Sequence, residues 1–375
     1  MKALEELVAL SRRPSNSHVM DYKKQNRKVI GFFCSYVPEE IIYAGGMLPY
    51  RIRPAGCAQT TSADVYMSRL NCTFARSCLE FMSGGVFDFL DGIVFANSCD
   101  NIRRLYDISR EKRPYPFMHF MSIPHKAGSV GAMNWYKEEV THFAKTLEGF
   151  FGIEISEEAL HEAISVYNET RGLLRELYEL RQAVDPPITG AECLSVVLAA
   201  TTTPKDRYNK LLRKLLEELK EREGLSDYRA RLMIVGSEYD DPEFTGLIED
   251  LGGLVVVDAL CYGSRYFWEP VKTGPNPMDG LVRSTLARPS CPRMSDGVIE
   301  RVDFIRGMTE RFKVDGVILQ QIRYCDLWGG EATYLRKALK ESNLPVLQLE
   351  REYWLSGIGQ LKTRIQAFLE TIERG

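Results

Sequence analysis

The 375-residue sequence lacks the motifs by which many α/β enzymes are recognised. It has no Gly-x-x-x-x-Gly-Lys-Ser/Thr, so ATP hydrolysis through a P-loop is not expected. It has no Gly-x-Gly-x-x-Gly and no Gly-x-Ser-x-Gly, the usual signatures of dinucleotide binding and of a serine nucleophile. Its five histidines form no zinc-protease motif, and none of its nine cysteines forms a Cys-x-x-Cys pair.

The sequence also has no strong charge bias and no long apolar run. A net charge of −3 with 26% charged residues is ordinary for a globular protein, so no nucleic-acid partner is expected. No segment reaches the ~18 consecutive apolar residues of a transmembrane helix. The amphipathic N-terminus, MKALEELVALSRRPSNS, has neither the apolar core nor the cleavage site of a signal peptide. We therefore expect a cytoplasmic protein that does not enter a membrane.

Two stretches of the sequence alternate short apolar runs with helical patterns. One runs from about residue 20 to 150 and the other from about 229 to the C-terminus, and only helical patterns lie between them. This alternation predicts an α/β fold of two doubly wound, Rossmann-like domains with parallel sheets. The predicted units are an N-terminal α/β domain at 1–150, a helical linking segment at 151–228 and a C-terminal α/β domain at 229–375.

Two cysteines lie where α/β proteins bind ligands, just beyond the carboxyl ends of strands, and a third lies upstream of one of these strands. Cys99 follows the predicted strand 92–96, Cys325 follows the predicted strand 316–320, and Cys72 lies early in a helical segment before the first of these strands. If the two domains face each other, the three thiols can converge on the cleft. Three thiolates would leave one iron of a [4Fe–4S] cluster open to substrate.

The alternative for each cysteine is a buried apolar side chain, because free cysteine is among the most buried residue types. The odd count in a large, intracellular chain argues against a disulfide framework. Cys78 shares a helical face with Leu70 and Phe81 and is expected in the core. Cys261 and Cys291 stay open between core, loop and ligands of a larger cluster. The remaining cysteines have no supporting context: Cys34, Cys57 and Cys193.

Longer segments of the chain resemble a known family, the 2-hydroxyacyl-CoA dehydratase / benzoyl-CoA reductase superfamily. The resemblance is carried by GFFCSYVPEEIIYAGGMLPYRI (Gly31–Ile52), NCTFARSCLEFMSGGVFDFLDGIVFANSCDNIRRLYD (Asn71–Asp107), DGVILQQIRYCD (Asp315–Asp326) and GQLKTRIQAFLE (Gly359–Glu370). It follows the order of the family along nearly the whole chain and does not depend on one short motif.

The resemblance implies a subunit of an oxygen-sensitive, two-component iron–sulfur enzyme that acts on a CoA thioester. Cys72, Cys99 and Cys325 are then the ligands of a [4Fe–4S] cluster. The subunit would pair with a homologous sister subunit or form a homodimer. A separate ATP-hydrolysing iron–sulfur activator would supply the electron, which agrees with the missing P-loop.

Some relatives hold a double-cubane [8Fe-9S] cluster with additional cysteines. Here one such cysteine is missing between Cys78 and Cys99, which argues against the larger cluster, whereas Cys261 and Cys291 keep it open. A double-cubane reductase of small molecules is therefore one alternative function. Others are a non-catalytic partner subunit, which relays electrons or is structural, and an α/β protein whose cysteines hold no cluster.

The reaction that the resemblance implies is one-electron reduction of the thioester carbonyl to a ketyl radical. This radical either expels an α-hydroxyl group or passes electron density into a conjugated ring. The segments Cys261–Val271 and Leu349–Arg364 are more similar to benzoyl-CoA reductase subunits, which favours ring reduction. The alternative is (R)-2-hydroxyacyl-CoA dehydration.

Four charged residues are further candidates for the site. Glu350 follows the strand at 345–349 and could act as a catalytic proton donor. Glu40 follows the first predicted strand and could approach the substrate as a second catalytic residue. Arg351 could bind a CoA phosphate, and Arg103 could bind a phosphate or the activator. The alternatives are helix N-terminal charge for Glu40, a surface ion-pair cluster for Glu350 and Arg351, and a solvated helix face for Arg103.

Overall fold

The computed structural model describes residues 1–374, and this part of the chain contains two four-stranded parallel sheets. The strands of the first sheet are β1 (Val29–Phe32), β2 (Leu48–Arg51), β3 (Gly92–Ala96) and β4 (Phe117–Met121). Those of the second are β5 (Ala230–Gly236), β6 (Gly253–Ala259), β7 (Gly316–Ile322) and β8 (Val346–Arg351). The fold class expected from the sequence, α/β with parallel sheets linked by helices, is confirmed.

Both sheets have the same topology, with the orders β2-β1-β3-β4 and β6-β5-β7-β8. The chain adds its second strand on one side of the first and its third strand on the other. The switch points at which open α/β sheets bind ligands therefore lie between β1 and β3 and between β5 and β7.

Helices connect the strands and cover both faces of each sheet. Within the described residues they are α1 (Lys2–Ser11), α2 (Ser17–Lys24), α3 (Glu39–Ala44), α4 (Thr73–Ser83), α5 (Asp100–Lys112), α6 (Val130–Phe151), α7 (Glu157–Glu179), α8 (Gly190–Ala200), α9 (Lys205–Lys220), α10 (Pro242–Glu249), α11 (Ser264–Phe267), α12 (Pro277–Ala287), α13 (Val298–Arg311), α14 (Asp326–Lys340) and α15 (Ile358–Arg374). None of them, as far as the structure describes the chain, is long and apolar enough to cross a bilayer.

The core consists of apolar layers on the two faces of each sheet. Helices α4 and α5 pack on one face of the first sheet, and α3, α6 and α12 pack on the other. Helices α8, α9, α13 and α14 pack on one face of the second sheet, and α10 and α15 on the other. Because both faces are covered, the inner strands are largely apolar, as in GIVFA of β3 and LMIVG of β5.

Helix α7 belongs to both cores. Leu160 and Ile164 in its first half pack with the first sheet, and Leu174 and Leu177 in its second half pack with the second. The N-terminal helix α1 packs on α8 and α9. The domain boundaries expected at 150 and 228 stay a prediction.

One local expectation is wrong. Leu70 does not share a helical face with Cys78, because α4 begins at Thr73 and the Leu70 side chain is 71% exposed. Cys78 itself is fully buried in the core on the α4 face of the first sheet, where the sequence places it.

Candidate active site

Six of the nine cysteines line one cavity between the carboxyl ends of the two sheets. The cavity has a volume of about 90 Å³ and is also lined by Arg51, Glu238, Arg265 and Trp328. The cysteines include the three singled out from the sequence, which the fold brings together from distant parts of the chain. The six are Cys34, Cys72, Cys99, Cys261, Cys291 and Cys325.

Strand topology explains why so many thiols meet here. Cys34 closely follows β1 and Cys99 follows β3, so both lie at the switch point of the first sheet. Cys325 follows β7 at the switch point of the second sheet, and Cys261 follows the neighbouring β6. Since the carboxyl ends of the two sheets face each other, these loops enclose one space.

Three of the cysteines occupy helix N-cap positions. Cys72 caps α4, Cys99 caps α5 and Cys325 caps α14. A helix N-terminus carries a partial positive charge and unpaired N–H groups, which stabilise a nearby thiolate. The three helices therefore direct their positive ends toward the cavity.

In the chain without a bound metal or cluster, which we call the unloaded chain, burial has the largest effect on the pKa of these thiols. It raises the pKa of Cys99 and of Cys325 to about 12. Burial likewise raises the pKa of Cys72 well above its ordinary value, and the neighbouring thiols of Cys99 and Cys325 raise it further. The N–H groups of the helix N-termini only partly offset this. The thiols are therefore protonated until a bound metal displaces the protons.

Two residues at the cavity have strained backbones. Cys34 has φ +73° and Tyr324, which precedes Cys325, has φ +64°. Side chains other than glycine rarely adopt this left-handed region, and such strain is concentrated at functional sites. Both residues set the direction in which a cavity thiol points.

Arg51 contributes to the cavity wall a buried positive charge that, in the described part of the chain, has two nitrogens without a hydrogen-bond partner and only a distant counter-charge. Its side chain is 1% exposed, and its Nε and Nη2 have no hydrogen-bond partner among the described residues. Its Nη1 donates to the carbonyl of Cys261, and its guanidinium lies 3.6 Å from the centroid of the Tyr262 ring. The Glu238 carboxylate lies 4.0 Å from Nη2, beyond hydrogen-bonding distance. A buried arginine with free N–H groups fits an anionic occupant.

The donor set suits a multi-iron cluster better than a single ion. Within residues 1–374 no three His, Cys, Asp or Glu side chains are close enough together to hold one metal ion. A cluster spans a wider gap between its ligands, binds through thiolates and becomes anionic when thiolates ligate it. Six convergent thiols and an unpaired Arg51 agree with such a group.

The other four predicted site residues do not line the cavity. Glu40 is 1% exposed and forms an ion pair with Arg171. Burial alone would raise the pKa of the Glu40 carboxyl, but the charge and hydrogen bond of Arg171 hold it below its ordinary value. A carboxyl that stays ionised is poorly suited to donate a proton. The catalytic role of Glu40 stays a prediction that this geometry does not support.

The remaining three candidates have polar partners of their own. The half-exposed Glu350 accepts a hydrogen bond from Arg323 at 3.0 Å. Arg351 is buried and donates to Gln320 and Asp241, at 3.3 and 3.2 Å. The exposed Arg103 lies 3.7 Å from Asp100. Of these three, Arg103 is the one that can meet a partner molecule without losing a close hydrogen bond.

Sequence reasoning missed Arg51, Glu238 and the position of Cys34. For Glu238 and Cys34 the signal was present, because Glu238 closely follows β5 and Cys34 closely follows β1. The rule that selected Cys99 and Cys325 applies to them equally. For Arg51 the signal was absent, because the sequence does not predict β2, the strand that Arg51 ends.

Comparisons with known proteins agree along nearly the whole chain. The model of the family described as 2-hydroxyglutaryl-CoA dehydratase, D-component, matches residues 34–372. The chain is 28% identical to "Putative dehydratase subunit YjiM" of Escherichia coli (strain K12), with 94% of each chain covered. It is 27% identical to the (R)-2-hydroxyglutaryl-CoA dehydratase subunit beta of Acidaminococcus fermentans, with 98% of each covered. A benzoyl-CoA reductase subunit of Thauera aromatica is 26% identical, over 87% of this chain and 86% of that relative.

Proposed function

Since the chain belongs to the 2-hydroxyglutaryl-CoA dehydratase D-component family, we propose that it is the cluster-bearing subunit of an ATP-activated enzyme that reduces a CoA thioester by one electron. The family uses CoA-thioester substrates, and the chain is a subunit of an acyl-CoA dehydratase or reductase. Its partners are proposed to be a homologous sister subunit or a second copy, and an ATP-hydrolysing iron–sulfur activator.

The observation that supports this proposal is the convergence of buried thiols on one cavity beside the unpaired Arg51. Cys72, Cys99 and Cys325 would hold a [4Fe–4S] cluster, which when bound supplies single electrons at low potential. The chain would bind the cluster through these thiolates, balance its charge with Arg51 and the three helix N-termini, and exclude water from it.

A groove next to the cavity offers a path for the thioester. It has a volume of about 660 Å³ and is lined by the segment around Pro289 and by α12 and α13. Ser290 lines the groove, and Cys291, the next residue, lines the cavity. Lys272 and Arg283 could bind CoA phosphates there, so Arg283→Ala should weaken binding of free CoA by about tenfold in calorimetry. Unchanged affinity would place CoA elsewhere.

The six-thiol cavity also favours a second candidate. Three further cysteines, Cys34, Cys261 and Cys291, line the cavity beside the three predicted ligands. Six thiols could hold two cubanes, as in the double-cubane alternative, and the substrate would then be a small molecule without CoA. The preference for ring reduction over dehydration stays a prediction, because relatives of both kinds lie at similar identity.

Iron and acid-labile sulfide per chain, measured after anaerobic purification, test the proposal. We expect about four irons in the wild type if one cubane is bound and about eight if two are. Cys99→Ser should lose iron in either case, and Cys291→Ser only in the second. Cys193→Ser is the matched control, because Cys193 is fully buried but does not line the cavity.

Each outcome has one meaning. Wild-type iron content in Cys99→Ser would contradict the ligand assignment. A folded, anaerobic wild type without iron would contradict the cluster and the proposed function. With iron present, turnover of CoA thioesters against turnover of small molecules decides between the two candidates.

A further inference from the structure

Asn101 connects the three chain segments that carry the predicted ligands. Its Oδ1 accepts a hydrogen bond from the N–H of Cys72 at 3.0 Å, and its Nδ2 donates to the carbonyl of Tyr324 at 3.5 Å. Tyr324 directly precedes Cys325, and Asn101 is the second residue of the helix that Cys99 caps. One side chain, 5% exposed, therefore contacts all three segments.

We propose that Asn101 is a positioning residue that fixes the three thiols of Cys72, Cys99 and Cys325 relative to one another. The inference rests on the proposed function, since it concerns how the chain presents its thiols to a cluster. The bond to Tyr324 crosses from the first sheet unit to the second. Asn101 thus couples the distance between thiols to the relative position of the two sheets.

The chemistry of the contacts requires an amide. The backbone N–H of Cys72 needs an acceptor, and the carbonyl of Tyr324 needs a donor. An amide side chain offers both groups on one planar unit. Aspartate has the same shape but no donor, and leucine has neither group. The surrounding backbone therefore also dictates which way the amide of Asn101 points.

The hydrogen bond from Asn101 to Tyr324 restrains a turn whose backbone is strained. Tyr324 has φ +64°, a conformation that costs free energy in a tyrosine and persists only when its surroundings hold it. Within its own unit, the N–H of Cys325 is held by the carbonyl of Ile322 at 2.9 Å. Asn101 adds a restraint on Tyr324 from the first sheet unit.

The test compares Asn101→Ala and Asn101→Asp with a control, Asn209→Ala. Asn209 is 3% exposed and hydrogen-bonded to Thr170, so it matches Asn101 in burial but lines no part of the cavity. The readouts are iron release to a chelator, the electron paramagnetic resonance spectrum of the reduced protein, its reduction potential, and thermal melting of the unloaded chain.

Asn101→Ala should release iron about tenfold faster and change the spectrum, because two hydrogen bonds are lost. Asn101→Asp keeps the acceptor for Cys72 but loses the donor to Tyr324, so its rate of iron release should lie between those of the wild type and Asn101→Ala. Its added negative charge should lower the reduction potential. Asn209→Ala should lower thermal stability but keep the wild-type release rate and spectrum. A wild-type release rate and spectrum in Asn101→Ala would overturn the inference.

The inference can fail or succeed independently of the proposed function. A wild type without iron would contradict the proposed function only. The unloaded chain would then be titrated with a trivalent arsenical, which needs neighbouring thiols. Weaker arsenical binding by Asn101→Ala than by Asn209→Ala would support the positioning role, and equal binding would overturn it.

Discussion

Arg51 is a buried cation, and two of its three guanidinium nitrogens lack a hydrogen-bond partner in the described chain. The carboxylate of Glu238 lies 4.0 Å away, so the charge of Arg51 is only weakly compensated. A weakly compensated buried charge is destabilising, and a further negative charge brought close to it relieves that cost. The proposed anionic cluster would therefore stabilise the cavity wall at Arg51.

Replacing Arg51 by methionine should affect the chain without a cluster and the cluster-bound protein in different ways. We expect Arg51→Met to leave the melting temperature of the unloaded chain unchanged or raised, and to lower the reduction potential of the bound cluster, because a positive charge next to it is lost. Arg171→Met is the control, since Arg171 is equally buried but paired with Glu40. It should destabilise the unloaded chain by about 3 kcal/mol. Equal destabilisation by both variants would contradict the role of Arg51.

Glu40 should contribute to stability in a pH-dependent way. Its pKa is held below the ordinary value by Arg171, against the effect of burial. The contribution is therefore complete above the unfolded pKa of about 4.3 and is lost as pH falls through the lower folded pKa. Glu40→Gln should lose about 3 kcal/mol at pH 7 and unfold less steeply in acid than the wild type. Wild-type stability with lost activity would instead support the predicted catalytic role.

At the scale of elements, the N-termini of α4, α5 and α14 would combine helix capping with presentation of the three proposed cluster ligands. Serine is a better N-cap than cysteine or alanine, because its oxygen accepts from the N–H groups of the first turn. None of the three cysteines makes a side-chain cap hydrogen bond. Evolution of these helix starts toward stability alone would favour serine or aspartate.

Substitutions at Cys325 can test whether a cysteine at this N-cap lowers the stability of the helix. Cys325→Ser should make the unloaded chain more stable than Cys325→Ala by about 1 kcal/mol, because only serine caps α14. Both variants should lose cluster iron to the same extent. Denaturant unfolding and iron analysis of the two proteins give the answer. Retained iron in the serine variant alone would mean that an oxygen ligand suffices at this position.

The elements that sequence patterns predict well are those buried on both faces. The strand β3 has the predicted bounds, 92–96, because its apolar run GIVFA is uninterrupted and fully buried. Sequence patterns do not predict the strand β2 (LPYR), since it is short and contains Pro49. It lies at the edge of its sheet, where a proline does not interrupt the hydrogen bonding.

The sequence predicts only part of the candidate site, because the rest depends on contacts between distant residues. Strand ends can be found from local patterns, and these point to Cys99 and Cys325. Which strand ends face each other depends on contacts between residues far apart in sequence, such as the hydrogen bond from Arg51 to the carbonyl of Cys261. No local pattern encodes such contacts, so Arg51 and the full set of six thiols emerge only from the folded chain.

At the scale of the whole molecule, the two sheet units are joined by a buried polar cluster. Arg53, from the first unit, lies 3.4 Å from the carboxylate of Asp240 in the second, and both are nearly inaccessible to solvent. The hydroxyl of Tyr353 donates to the same carboxylate at 2.8 Å. These contacts link the two sheet units, so we expect the units to unfold cooperatively.

Asp240→Asn should uncouple the units, because it leaves Arg53 buried without a counter-charge. We expect a loss of about 3 kcal/mol and a calorimetric transition that broadens or splits in two. Asp258→Asn is the control, since Asp258 belongs to the same second sheet and pairs with Tyr178 instead. It should lower the transition temperature without splitting the transition. A single, sharp transition in Asp240→Asn would show that other contacts couple the units.

The cavity is assembled from distant parts of the chain, which sets the order in which its thiols are synthesised. Cys72 and Cys99 leave the ribosome well before Cys325, and the first sheet can fold around them while synthesis continues. Until Cys325 and its sheet have formed, the early thiols face solvent without their opposite wall. Delivery of the proposed cluster at that stage would meet an incomplete and oxidisable site. Assembly of the proposed cluster would therefore follow synthesis of the second sheet, and a product truncated before that sheet should remain colourless however well its first sheet folds.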